Sequence, residues 1–335
     1  MLISVLKMAC CSGFGYLPAK PASRDALGAI LFHIPKTGGT TLEAAFAYYA
    51  TSNGLTYETC YKWELAFCSE TFTPADVVFG HFTDQARRHG GEWGGSRVMQ
   101  RLMQGSNRPF YRATMFRHPV ERQISSYFFT HAFNKHSTVP SFHDVFPHGW
   151  PDSFQWEAAF GTQSGAQVHN NRSCSVDGAY AMLRHSFELV GTAELFDLSL
   201  MTWARKLHSQ NPLFYVRGDQ GQPGPWKGVI LRAWQSQHNR SVASLKERLS
   251  APDMCLWEAA SKIVMEEAEM HNIISSQIDG YKAANKAHAE WVQKHVVGNV
   301  SGDHQWRKNS LYAAGSRWRE KCTACISRSR LSAST

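Results

Sequence analysis

Residues 27–34 (LGAILFHI) form a short apolar run that stops at Pro35. The chain then opens into Lys36-Thr37-Gly38-Gly39-Thr40-Thr41, and residues 42–49 return to an Ala- and aromatic-rich composition. A short apolar run bounded by Pro and Gly reads as a buried strand, and the segment after it as a helix. The resulting strand–loop–helix unit limits the chain to folds in which strands and helices alternate. Further apolar runs at 76–82 (DVVFGHF), 111–116 (YRATMF) and 186–191 (SFELVG) read as three more buried strands. Helices are expected at 119–129, with Pro119 in the first turn, at 194–208, at 254–278 behind Asp253 as N-cap, and at 280–297. Residues 85–108, 213–228 and an irregular insertion at 131–175 read as loops. This alternation predicts an α/β fold around a mainly parallel sheet. In such sheets ligands bind at the carboxyl ends of the strands. That places residues 35–41, 81–84 and 117–125 together at the functional edge.

Composition narrows the function. Apolar residues make up 43% of the 335, enough for a sizeable core, which excludes a disordered or collagen-like chain. No run approaches the ~18–20 uninterrupted apolar residues of a membrane span, which excludes a multi-pass membrane protein. Thirty-five Lys and Arg against 27 Asp and Glu leave a net charge of +8, a surplus that suits an anionic partner. The segment 1–26 reads equally as a short signal, a cropped anchor or a frayed start. Residues 27–298 are expected to form the main domain, and 299–335 a basic polar tail. The eight cysteines (10, 11, 60, 68, 174, 255, 322 and 325) are too sparse for a disulfide scaffold, and their pairing is open. The pair at 322 and 325 has no second CxxC to complete a zinc site. Three sequons, at Asn171, Asn239 and Asn299, matter only on a secretory route.

The loop after the first strand suits a phosphate or sulfate. Gly38 and Gly39 allow backbone N–H groups to approach an anion without Cβ interference. The helix that follows directs its N-terminus at the same point. Lys36 supplies a charge, and Thr40 and Thr41 supply hydroxyls. Lys36 precedes the glycines, so the Walker order GxxxxGK[ST] is absent and a Mg-dependent nucleoside triphosphatase is disfavoured. A second cationic motif, Phe116-Arg117-His118-Pro119-Val120-Glu121-Arg122, continues to Ser125 eight residues after Arg117. Arg117 lies where the chain leaves the sheet and Ser125 two turns along the next helix, so the pair can hold one phosphate from two sides. A guanidinium fork matches phosphate geometry.

HIPKTGGTTL resembles the 5′-phosphosulfate loop of sulfotransferases that use 3′-phosphoadenosine 5′-phosphosulfate (PAPS). Arg117 and Ser125 are similar to that family's 3′-phosphate pair. Within that family the closer likeness is to Golgi carbohydrate sulfotransferases, particularly the heparan sulfate 2-O- and 6-O-type. Softer likenesses are Glu188-Leu189-Val190-Gly191-Thr192-Ala193-Glu194 with Ser199-Leu200, and Asp253 with Leu256-Trp257. Together they run from about 28 to 275; only the two cofactor motifs are specific. The resemblance implies a P-loop-like three-layer fold and a PAPS site made of Lys36, Thr37, Gly38, Gly39, Thr40, Thr41, Arg117 and Ser125, with adenosine 3′,5′-bisphosphate as product.

In-line transfer of a sulfuryl group needs positioning and charge stabilisation. Lys36 is the expected stabiliser of the departing oxygen. The resemblance places the general base at His81, histidine being the usual side chain for proton transfer near neutral pH. His33 and His118 are runners-up, read first as packing and as shaping the second motif. Glu43 is a weaker candidate, and Arg122 reads as a surface or structural charge. No metal is expected. The Arg-rich stretch 87–108 and Trp93, Trp150 and Trp156 are candidate contacts to an acidic or neutral glycan acceptor; solvated loop and core filler are the plainer readings. The resemblance also implies a Golgi lumenal, membrane-anchored enzyme, with a cytoplasmic one as the alternative. Competing functions are a small-metabolite O-sulfotransferase, a nucleotide kinase and a non-catalytic binder of anionic glycans. No nucleic-acid motif occurs.

Overall fold

The computed structural model describes residues 28–60, 76–80, 110–148, 154–160, 175–209, 211–215, 225–248 and 252–292. Five strands form one sheet: β1 (Gly28–Phe32), β2 (Tyr57–Cys60), β3 (Val77–Gly80), β4 (Phe110–Phe116) and β5 (Leu189–Thr192). All four neighbouring pairs are parallel, in the order β2-β3-β1-β4-β5. Every residue of β1, β3 and β5 is buried, the pattern of a sheet covered on both faces.

Side chains alternate between those faces. Ile30, Phe32, Val78, Phe116 and Val190 enter one core, completed by α4 (Phe154–Phe160), α5 (Val176–Ser186) and α8 (Pro252–Met270). Ala29, Leu31, Val77, Phe79, Met115 and Leu189 enter the other, completed by α1 (Gly39–Ser52), α6 (Phe196–Lys206) and Tyr281 of α9 (Ser275–Val292). The result is a three-layer α/β fold. A satellite core joins α2 (Pro119–Thr130), α3 (Phe142–Val145) and α7 (Pro225–Arg248) around Phe128, Phe146 and Trp234.

Four sequence expectations are corrected. The insertion at 131–175 is not wholly irregular, because α3 and α4 lie within it. The loop expected at 213–228 gives way at Pro225 to a 24-residue helix. The single helix expected over 254–278 is two helices, parted by a turn in which Asn272 has φ 51°. Asp253, expected to cap its own helix, sits inside the first turn of α8 and caps α4 instead. Its two carboxylate oxygens accept from the Gln155 and Trp156 backbone N–H groups at 3.0 and 2.8 Å.

Strand order fixes where a ligand fits. From β1 the chain departs toward β3 and β2; from β4 it departs toward β5. The neighbouring strands β1 and β4 therefore send their connections in opposite directions. The crevice at their carboxyl ends is the topological switch point of the sheet.

Candidate functional site

The β1 loop has left-handed backbone at Lys36 (φ 71°) and Gly38 (φ 94°). That conformation is ordinary for glycine and strained for lysine. The Thr37 hydroxyl donates to the Ile34 carbonyl at 2.8 Å and is fully buried, so its side chain closes the loop from inside. Gly38 is the N-cap of α1 and supplies no side-chain hydrogen bond to the helix end. The first turn of α1 therefore meets the crevice with backbone N–H groups and its dipole. Gly39 is demanded by space: a Cβ there would lie 1.6 Å from the ring of His33. His33 is buried and packs its ring 5.3 Å from that of Phe79. The side chains of Thr40 and His81 lie outside the described residues, as do Trp93, Trp150 and the stretch 87–108.

The β4 loop meets this one directly. Arg117 Nη1 donates to the Lys36 carbonyl at 3.3 Å, joining the two cationic loops across the switch point. Its Nη2 is 4.0 Å from Glu121, one helical turn on. Glu121, Ser125 and Phe129 follow at four-residue intervals and so share one face of α2. At the far end of that face the Lys36 ammonium rests 3.9 Å from the centre of the Phe129 ring, a cation–π contact. The Ser125 position therefore lies between the two cations along a single helix face.

Charge around this face is balanced from α7. Lys246 pairs with Glu121, leaving Arg117 as the carboxylate's second and more distant cation. Lys227 donates to the Phe129 carbonyl at 2.9 Å, closing the end of α2, and burial holds its pKa below the usual lysine value. The Phe129 ring is 62% exposed, so the contacts of Lys36 and Lys227 with it leave most of it open to solvent.

His118 shapes the start of α2. Its Nδ1 accepts from the Val120 N–H at 3.3 Å and its ring meets Trp257 edge-on at 4.8 Å. Burial, and then the charge of Lys246, lower its pKa and favour the neutral form that can accept this bond. Glu194 ties the neighbourhood together by accepting from the His118 backbone N–H (3.1 Å) and the Trp257 indole N–H (2.9 Å).

Among the other candidates, Arg122 is buried with its guanidinium 4.7 Å from the centre of the Phe154 ring, so it is structural and not a surface charge. Glu43 is buried on α1. Trp156, a candidate sugar platform, is 3% exposed and belongs to the core. Sequence reasoning did not find Phe129, Lys227, Lys246 or Gln155 as neighbours of the site. The first lies at the edge of a recognised motif; the others come from segments read as loop or not assigned.

Among the described residues no group of His, Cys, Asp and Glu could hold a metal ion. No protein-family model and no curated protein matches this chain.

Proposed function

We propose that this chain is a PAPS-dependent O-sulfotransferase acting on a carbohydrate hydroxyl, with a glycosaminoglycan-like polysaccharide as acceptor. The observation that carries the proposal is the bond from Arg117 to the Lys36 carbonyl. It joins two cationic loops at the crevice where a doubly wound sheet takes ligands. A donor with phosphate groups at both ends needs such a double cradle.

The residues fit that donor. The uncapped end of α1 and the open backbone at Gly38 suit the 5′-phosphosulfate. Arg117 and Ser125 suit the 3′-phosphate. Glu121 does not oppose this, because Lys246 neutralises it while Arg117 turns to the ligand. When bound, PAPS supplies an activated sulfuryl group whose leaving group is the 5′-phosphate of adenosine 3′,5′-bisphosphate. Lys36 brings its charge to the departing oxygen, exchanging the Phe129 ring for an anion. His81, the residue that follows β3 in the sequence, is proposed to take the proton from the acceptor hydroxyl.

A Golgi lumenal location is part of the proposal. Cys255 is disulfide-bonded, a bond that persists in oxidising compartments. Asn239 of the second sequon lies exposed on α7. Among the described residues no helix is long and apolar enough to cross a membrane.

The test is transfer of label from radiolabelled PAPS to a panel of glycans, small alcohols and phenols. Label is expected in a glycan and is lost in Lys36→Ala. In His81→Ala the cofactor should still bind while transfer stops. A protein that labels none of the panel and does not bind adenosine 3′,5′-bisphosphate overturns the proposal.

A further inference from the structure

Arg117 is held by more than its own side chain. It is the first residue beyond β4, whose last ladder partner is Thr192. At that point a side chain continues the pairing. The Gln155 amide oxygen accepts from the Arg117 backbone N–H at 2.8 Å, and its amide nitrogen donates to the Arg117 carbonyl at 2.7 Å. Gln155 is fully buried and engages both main-chain groups of one residue, as a neighbouring strand would. Behind it stands Asp253, also fully buried, whose carboxylate accepts from the Gln155 and Trp156 N–H groups. Asp253 belongs to α8, whose Leu256, Ala259, Ala260 and Ile263 lie in the core beneath the sheet.

We infer that Gln155 and Asp253 form a positioning pair that fixes the Arg117 peptide, and so aims its guanidinium across the switch point. The role rests on the sulfotransferase reading for its consequence, though not for its geometry. An apolar residue would fill the space at 155, but would remove the partner that both main-chain groups of Arg117 have there. Gln supplies both a donor and an acceptor, and both are spent on the one residue whose guanidinium bridges the two loops.

Two variants of the full-length chain test this. In Gln155→Leu, which removes both bonds, amide hydrogen exchange at Arg117 is expected to rise at least tenfold while the amides of β4 keep their rates. This arm needs no ligand. An unchanged rate at Arg117 overturns the inference. Gln155→Glu retains an acceptor but, when ionised, faces the Arg117 carbonyl without a donor. Its affinity for adenosine 3′,5′-bisphosphate should fall about tenfold at roughly pH 8 and recover toward the wild-type value at roughly pH 5.5, because protonation of a buried carboxyl restores an O–H donor. A purely structural glutamine gives no such variant-specific recovery. Wild-type-like affinity at both pH values, or an equal loss at both, overturns the inference. If the wild-type protein does not bind the nucleotide, the sulfotransferase reading fails, and the exchange arm alone decides the positioning role.

Discussion

A methyl group at position 39 would collide with the His33 imidazole, and that ring cannot retreat easily because Phe79 packs against it. Gly39→Ala is therefore expected to displace either the loop or the ring and to weaken adenosine 3′,5′-bisphosphate binding by tenfold or more. Because the clash is with one side chain, His33→Ala combined with Gly39→Ala should regain part of that loss. Calorimetric titration of the three variants checks this. No recovery in the double variant would mean that His33 is not what forbids a side chain at 39. The need for glycine here was legible as a motif, but its cause was not. Sequence reasoning gave Gly39 a role in admitting an anion; the structure adds that it admits a histidine. Thr37 shows the same limit. The resemblance places it in the cofactor loop without a stated role; the structure shows its hydroxyl donating back to Ile34 inside the loop.

At the scale of elements, the strands most legible in the sequence are those buried on both faces. Runs such as VVF and LVG have no polar residue to disguise them. β2 was missed because Tyr57-Glu58-Thr59-Cys60 is a four-residue edge strand paired only with β3, and an edge needs no apolar run. α7 was missed because it is a surface helix, polar for much of its length, that begins directly after a Gly- and Pro-rich stretch. Yet α7 supports the site through Lys227, Lys246 and Trp234. The Trp234 indole is fully buried against Phe128, Phe142 and Phe146. Trp234→Ala should cost about 3–5 kcal/mol of stability, read from denaturant unfolding. It should also loosen α2 and so weaken nucleotide binding. A stability loss with binding untouched would separate α7 from the pocket. Asp253 was recognised correctly as a capping residue, but sequence proximity pointed to its own helix. Its real client, α4, is about a hundred residues away in the chain, a pairing that only the fold creates. Gln155 carried no signal at all, because an amide that mimics a strand looks like any other glutamine.

For the molecule as a whole, His288 predicts a pH dependence. It lies among Tyr48 and Phe214 at 5.0 and 5.3 Å between ring centres, and burial lowers its pKa from 6.5 to about 4. The unfolded chain then takes up a proton before the folded one as pH falls. Stability present above pH 6.5 is expected to decline progressively down to about pH 4, by roughly 3 kcal/mol from this residue. His288→Phe should flatten that part of the profile; an unchanged slope would remove His288 as its source. The net charge of +8 acts on the same scale. Nucleotide affinity should fall with added salt, as expected for phosphates held by partly exposed cations.

On the proposed function, the β1 and β4 loops form a single cradle for a nucleotide with phosphates at both ends. Calorimetric titration of adenosine 3′,5′-bisphosphate into the wild-type protein and Arg117→Ala measures it most directly. One site per chain is expected in the wild type, with an affinity at least about tenfold weaker once the guanidinium is gone, as for loss of a charged hydrogen bond. No binding to the wild-type protein, or equal binding to both, would contradict it.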